Sequence, residues 1–403
     1  MKNRFLIAVL FALFFISFSQ GQMAAGVSQD RLERYDDFLN QEVKSDNIAG
    51  AISYVMRRGE VVHQKTYGYS DIAAKTPIKQ DQIMHMMSMT KPIISVAFMM
   101  LYEEGHFFLN DPVSKYLPEF KNMKVAKDLS EGINGTTSPS NKEISILHLL
   151  THTAGFSHGL GPTKLDQEYR NTLYFKPYAS IDERVSAMSK LPLVGNPGEQ
   201  WYYSASPDVL SVLIEKFSGM STAEFLEKRI FAPLGMKDTG YNIKKNAQDR
   251  WMPVYNKDAS GKLMQSPNQL PVEGNVIYSG THGLFSTAKD YMTFCQMLLN
   301  KGKWKGKQFL GRKTIELMTL NHVGDLFTGD GQGYGLGVGV TIDVADGKAL
   351  GSEGHYYWGG AYSTYFFIDP KEEMIAILLT QLQPYSRFYE HRFRQYVYQA
   401  IVD

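Results

Sequence analysis

Strand-like patterning sits at the two ends of this chain and is nearly absent from its middle. Near the amino end, Ala51 to Tyr67 reads as two strands around the turn Arg58-Gly59. Near the carboxyl end, Gly335 to Val344, Ser363 to Ile368 and Met374 to Leu379 carry the same signal. Between them, from His106 to about Asn275, lie short helical runs, Pro and Gly turns and polar stretches such as Asn134 to Asn141. A sheet must therefore be split in sequence. The expected organisation is an α/β domain formed by residues 28–105 and 276–403, with a mostly helical insert, 106–275. Ser28 to Val43 spaces Leu32, Tyr35, Phe38, Leu39 and Val43 along one helix face, with Ser28 as a possible cap. A closing helix is expected from about Tyr385 to Ile401.

The 403 residues are 43% hydrophobic and 21% charged, which suits a globular enzyme of one large or two interleaved domains. Lys plus Arg is 42 against 41 for Asp plus Glu, so no charge excess points to nucleic acid or an anionic membrane, and a small-molecule partner is expected. Lys2 and Arg4, the apolar run Phe5 to Phe18, and the small residues Ser17 and Ser19 read as a cleaved secretory signal over residues 1–19. That run is about 14 residues where a membrane span needs about 20. No stable span is expected after cleavage, and the expected location is periplasmic or secreted. The one cysteine, Cys295, rules out an intrachain disulfide and reads as a small buried apolar residue. The oligomeric state has no signature.

Chemistry concentrates in three stretches. In Met86-Met87-Ser88-Met89-Thr90-Lys91-Pro92-Ile93, Pro92 is tolerated only near a helix start. The apolar run Ile93 to Glu104 and the stop Gly105 complete a buried helix whose free amino-terminal amides face a site. Residues three apart share a helix face, so Lys91 can reach the Ser88 hydroxyl and, when neutral, take its proton. Ser286-Thr287-Ala288-Lys289 repeats the spacing, but Ser286 precedes the helix Ala288 to Leu299 and reads as its cap.

The second stretch, Pro197 to Ala205, is a Pro-Gly turn leading through Trp201, Tyr202 and Tyr203 to the helix Pro207 to Phe217, which stops at Gly219. A tyrosine held on such a loop can relay a proton where cations lower its pKa; packing is the competing role. The third, Gly354 to Ala361, ends in Gly359 and Gly360 beside a strand, which lets backbone approach a ligand and lets the Ala361 amide join that of Ser88 in an oxyanion hole. A plain tight turn is the alternative. Gly155-Phe156-Ser157-His158-Gly159 fits a nucleophile elbow, which needs a strand before and a helix after the serine. Here Ile144 to His152 reads as a helix and Gly159 to Pro162 as a loop. His148 and His152 are four apart, but no glutamate follows His148, so neither metal nor cofactor is expected.

Ser88-Met89-Thr90-Lys91, Tyr203-Ser204-Ala205 and Trp358-Gly359-Gly360, in this order, resemble the serine β-lactamase and penicillin-binding-protein superfamily, specifically its class C-like branch and the family VIII carboxylesterases. Asp111 to Pro118, His148 to Gly155 and Pro233 to Met236 extend the likeness over about residues 28 to 400. The resemblance implies an antiparallel sheet flanked by helices, a Ser88 acyl-enzyme, and proton transfer shared by Lys91 and Tyr203. It departs from the β-lactamase pattern at Ala205, which cannot bind a substrate amide, and at Trp358, which replaces a lysine. With Trp358, Gly359, Gly360 and Ala205 as substrate contacts, the resemblance implies a hydrolase of neutral carboxylic esters. The alternative is a β-lactamase or D-alanyl-D-alanine peptidase; a catalytically silent binding protein is disfavoured by the complete nucleophile apparatus.

Overall fold

The two strand-rich ends of the chain meet in one eight-stranded sheet of the computed structural model, which describes residues 23–327 and 329–403. The expected signal, residues 1–19, lies outside the described residues. The strands are β1 (Gly50–Arg57), β2 (Glu60–Asp71), β3 (Thr76–Pro77), β4 (Gln332–Tyr334), β5 (Gly339–Thr341), β6 (Tyr356–Gly360), β7 (Thr364–Asp369) and β8 (Met374–Leu379). Their spatial order is β4-β5-β6-β7-β8-β1-β2-β3, with every neighbouring pair antiparallel. The ends join at β8 and β1, where Ile377 faces Tyr54 and Leu378 faces Ser53. The β1–β2 turn takes positive φ at both Arg58 (51°) and Gly59 (79°), the twist a two-residue hairpin requires.

Every residue of β1 and β8 is buried, so both faces of the sheet are covered. Helix α1 (Gln29–Lys44) and the carboxyl-terminal helix pack on one face: Tyr35 lies 5.4 Å from the Phe393 ring, and Phe393 lies 6.0 Å from Phe367. The next residue inward on β7, Phe366, points the other way and meets Tyr291 of the helix Ala288–Leu299 at 5.1 Å. Alternation along one strand thus assigns each helix to its face. Helix α2 (Thr90–Glu103) follows a 3₁₀ turn, Met87–Met89, and ends before Gly105 at φ 83°. It packs against a helix from the middle of the chain, Ser206–Ser218. Two more helices bear on the site, α3 (Ile181–Met188) and α4 (Ser206–Ser218), while α5 (Ala288–Leu299) and α6 (Arg387–Tyr398) cover the sheet.

Three expectations need correction. Of the expected strand Gly335 to Val344 only β5, Gly339–Thr341, is strand; β4 ends at Tyr334, and the two are joined by a turn in which the Gly335 amide donates to the Val338 carbonyl at 2.8 Å. Gly337 sits there at φ 93°, where a methyl would fall 2.0 Å from Ser95 Oγ of α2, so the turn is where the sheet leans on that helix. Val344 instead starts a short helix, Val344–Gly347. The helix over Ile144 to His152 shrinks to Ile146–Leu150, with His152 beyond it at φ 57°, so His148 and His152 do not share a helix face. Finally, the cap of α5 is Thr287, whose side chain accepts from the Asp290 amide; Ser286 ends a short strand and bonds Thr239 Oγ1 at 2.7 Å. Among the described residues, no helix is long and apolar enough to cross a membrane.

Candidate active site

The 3₁₀ turn and α2 place Ser88 and Lys91 one above the other. Lys91 Nζ is 3.1 Å from Ser88 Oγ and donates to the Thr281 carbonyl at 2.8 Å. It also lies over the Tyr203 ring, 4.6 Å from the centroid. Ser88 is half-buried, whereas Lys91 has no exposed surface. The hydroxyl is therefore reachable from solvent with the amine directly behind it. Met87 holds φ 49°, an unusual conformation for a side-chain-bearing residue, which helps aim the following serine.

Burial pushes the Lys91 amine well below the usual lysine value, with the Asp208 carboxylate acting in the opposite sense. Burial also raises the Tyr203 phenol, and its proximity to Ser88 and Trp358 only partly offsets this. Burial thus acts on both groups in one sense, toward the uncharged amine and the uncharged phenol. Two histidines flank them. His158 stacks on Tyr203 at 5.0 Å with the rings 15° apart, and His152 approaches at 5.0 Å. Burial, then the nearby Lys91, depresses both, so neither adds a positive charge beside Lys91 near neutral pH.

Strand β6 forms the opposite wall. Trp358 lies 5.7 Å from Tyr203 between ring centroids, and Tyr334, Trp201 and Phe327 extend the aromatic surface. Gly359 and Ala361 are half-buried, and Gly360 is packed so tightly against the serine turn that a methyl there would lie 2.4 Å from the Met86 carbonyl. This contact seats the end of β6, which Ala361 follows, on the turn that carries Ser88.

The other candidates separate cleanly. Ser157 is wholly buried and donates to Asp166 Oδ1 at 2.5 Å, while accepting from the Gly159 amide. Tyr202 turns away from Ser88 and donates to the same carboxylate at 3.0 Å. Ala205 is fully buried at the start of α4, so its methyl presents no surface. Cys295 is buried within α5, where burial raises its thiol far above the ordinary value. Among the described residues, no group of three or more His, Cys, Asp or Glu side chains is placed to hold a metal. Thr281, whose carbonyl meets Lys91, carries no motif; a backbone acceptor leaves no trace in side-chain pattern.

Residues 35–400 match the family described as Beta-lactamase. Protein Rv1367c of Mycobacterium tuberculosis is 32% identical over 356 residues, which span 84% of this chain and 86% of its own length. Esterase EstB of Burkholderia gladioli is 26% identical over 370 residues, or 86% of this chain and 89% of its own. Among solved structures, EstCE1, described as a hydrolase with promiscuous acyltransferase activity, has a TM-score of 0.79 at 24% identity, covering 92% of this chain and 99% of that one. That last likeness concerns the fold.

Proposed function

Given that the chain belongs to the beta-lactamase family and is a serine hydrolase, we propose that it cleaves neutral carboxylic esters through an acyl-enzyme on Ser88. The observation that carries the reading is the position of Lys91: wholly buried, free of any carboxylate contact among the described residues, and 3.1 Å from Ser88 Oγ. A neutral amine there takes the hydroxyl proton as Oγ attacks the ester carbonyl. The amides of Ser88 and Ala361 hold the oxyanion, a contribution of about 3 kcal/mol per donor. Collapse releases the alkoxide, which receives the proton from Lys91 by way of the Tyr203 phenol. Water then repeats the sequence on the acyl-enzyme and frees the acid.

The neutral character of the substrate rests on the wall. The indole at Trp358 offers a substrate carboxylate no charged partner. The resemblance to EstB, an esterase, supports the same choice. Purified protein assayed with p-nitrophenyl acetate, p-nitrophenyl butyrate and nitrocefin tests it. Ester turnover far above nitrocefin turnover is expected; comparable nitrocefin turnover would favour the β-lactamase or D-alanyl peptidase reading. We also place the protein outside the cytoplasm, on Lys2, Arg4 and the apolar run to Phe18. Amino-terminal sequencing of the exported protein, with a new terminus near Ser19, checks that placement.

A further inference from the structure

Behind Lys91 lies a buried polar cluster that the mechanism above does not use. Asp208, the third residue of α4, has no exposed surface. Its Oδ2 accepts from Arg184 of α3, at 3.1 Å from Nε and in closer contact from Nη2. Its Oδ1 accepts from Ser279 Oγ at 2.6 Å and from the Thr281 amide at 3.0 Å. Ser279 Oγ in turn accepts from Arg184 Nη2 at 2.8 Å, and lies 3.2 Å from the Thr281 amide and 3.3 Å from the His282 amide. Residues 279–282 are therefore wound around one carboxylate and one hydroxyl. Gly280 seats this loop on α4, since a methyl there would fall 2.0 Å from the Pro207 carbonyl. What the loop offers on its far side is the Thr281 carbonyl, 2.8 Å from Lys91 Nζ.

We infer that Arg184, Asp208 and Ser279 form a positioning clasp that fixes the Thr281 carbonyl and thereby aims the Lys91 amine at Ser88. The inference rests on the reading of Lys91 as the group that takes the Ser88 proton. Its physical logic lies in the charges. A lone buried carboxylate near Lys91 would hold the lysine as an ammonium, useless as a base. Pairing Asp208 with Arg184 keeps the hydrogen-bond acceptors that organise the loop while cancelling most of that field. A carbonyl, carrying only a partial charge, then orients the amine without protonating it. The remaining titratable groups facing Lys91 are Tyr203, His152 and His158 from the loops beside α4, and His282 from the clasp loop; burial keeps the three histidines uncharged, with His282 pushed down to about 3.

Two variants test this, with kcat, KM, the pH profile of kcat/KM and the melting temperature read for p-nitrophenyl butyrate. Ser279→Ala removes the hydroxyl that braces the loop and leaves every charge in place. Its kcat should fall about tenfold to a hundredfold while KM stays within about twofold, because a misaimed base slows chemistry and leaves ester binding alone. Asp208→Asn, with its oxygen on the Oδ1 side, keeps both acceptor contacts of the loop but loses the Oδ2 contacts with Arg184, removes the one carboxylate that favours the lysine ammonium and exposes Lys91 to the Arg184 charge. The acid limb of its kcat/KM profile should move to lower pH by about one unit. Should Asp208→Asn fail to fold, Ser279→Ala decides. Full kcat in a folded Ser279→Ala, or an unmoved acid limb in a folded Asp208→Asn, overturns the clasp. Lys91→Ala separates the two levels: an inactive Lys91→Ala beside a fully active Ser279→Ala sinks the clasp alone, whereas an active Lys91→Ala sinks the reading beneath it.

Discussion

Adding one methyl group at Gly360 tests whether the contact between β6 and the serine turn matters for chemistry. The new Cβ would lie 2.3 Å from Thr364 Oγ1, 2.4 Å from the Met86 carbonyl oxygen and 3.3 Å from Met87 Cβ. Non-bonded heavy atoms rest comfortably at about 3.5 Å, so the strand end and the serine turn must part by about 1 Å. The threonine hydroxyl can rotate away; the Met86 carbonyl is backbone and cannot. Ala361 follows Gly360 directly, so its amide is drawn away from the serine turn and from the proposed oxyanion position. An oxyanion donor works only at about 2.7–3.1 Å, and a 1 Å retreat forfeits most of it. The expected loss is about 3 kcal/mol of transition-state stabilisation, or a hundredfold or more in kcat. Gly360→Ala is assayed at saturating p-nitrophenyl butyrate, with the melting temperature measured alongside. Gly240→Ala is the control, since a methyl there meets nothing nearer than the Asn242 carbonyl at 3.7 Å. A folded Gly360→Ala with the kcat of the unaltered enzyme would refute the oxyanion argument.

Lys91→Ala and Tyr203→Phe should each lower kcat by several powers of ten with little change in KM, and the double variant should be little worse than either; additive losses would show two independent roles. Lys91→Met should be inactive yet more thermostable than the parent near neutral pH. The folded amine binds its proton more weakly than the ordinary value of 10.5, so the parent takes up a proton on unfolding. That destabilisation fades as pH rises from the lowered folded value toward 10.5, so in melting curves the stability gap should narrow as pH is raised toward 10.5 and be nearly closed above it. On selectivity, kcat/KM for p-nitrophenyl butyrate should exceed that for benzylpenicillin at least about a hundredfold, about 2.7 kcal/mol. Trp358→Lys should narrow that ratio. An unchanged ratio would mean that the wall does not choose the substrate.

The sequence was most legible where chemistry and local geometry coincide. Pro92 and the apolar run after it limit where α2 can begin, which puts Ser88 and Lys91 on one helical face before any tertiary contact is known. The split of the sheet was visible because β1, β7 and β8 are short, mostly apolar runs bounded by turn residues, the mark of strands buried on both faces. The failures have physical causes. Gly335 to Val344 alternates like a strand, but the close approach of Gly337 to Ser95 breaks it, and that approach is a tertiary fact. Ser286 and Thr287 are equally good caps by composition, and the choice is made by a hydrogen bond between Ser286 and Thr239, 47 positions away. The clasp was invisible for the same reason: Arg184, Asp208 and Ser279 are 24 to 95 positions apart, and the atom they deliver to Lys91 is a main-chain oxygen.

The central claim is that Ser88 becomes covalently acylated, and a fluorophosphonate probe reads it directly. The serine oxygen displaces fluoride from phosphorus, and the adduct is located by peptide mass spectrometry after digestion. The arrangement of Ser88, Lys91 and Tyr203 predicts one modified peptide, the one containing Ser88, with labelling lost in Ser88→Ala and retained in Ser157→Ala. Adduct on the Ser157 peptide, or a Ser88→Ala protein that still labels and still hydrolyses p-nitrophenyl butyrate, would contradict the account.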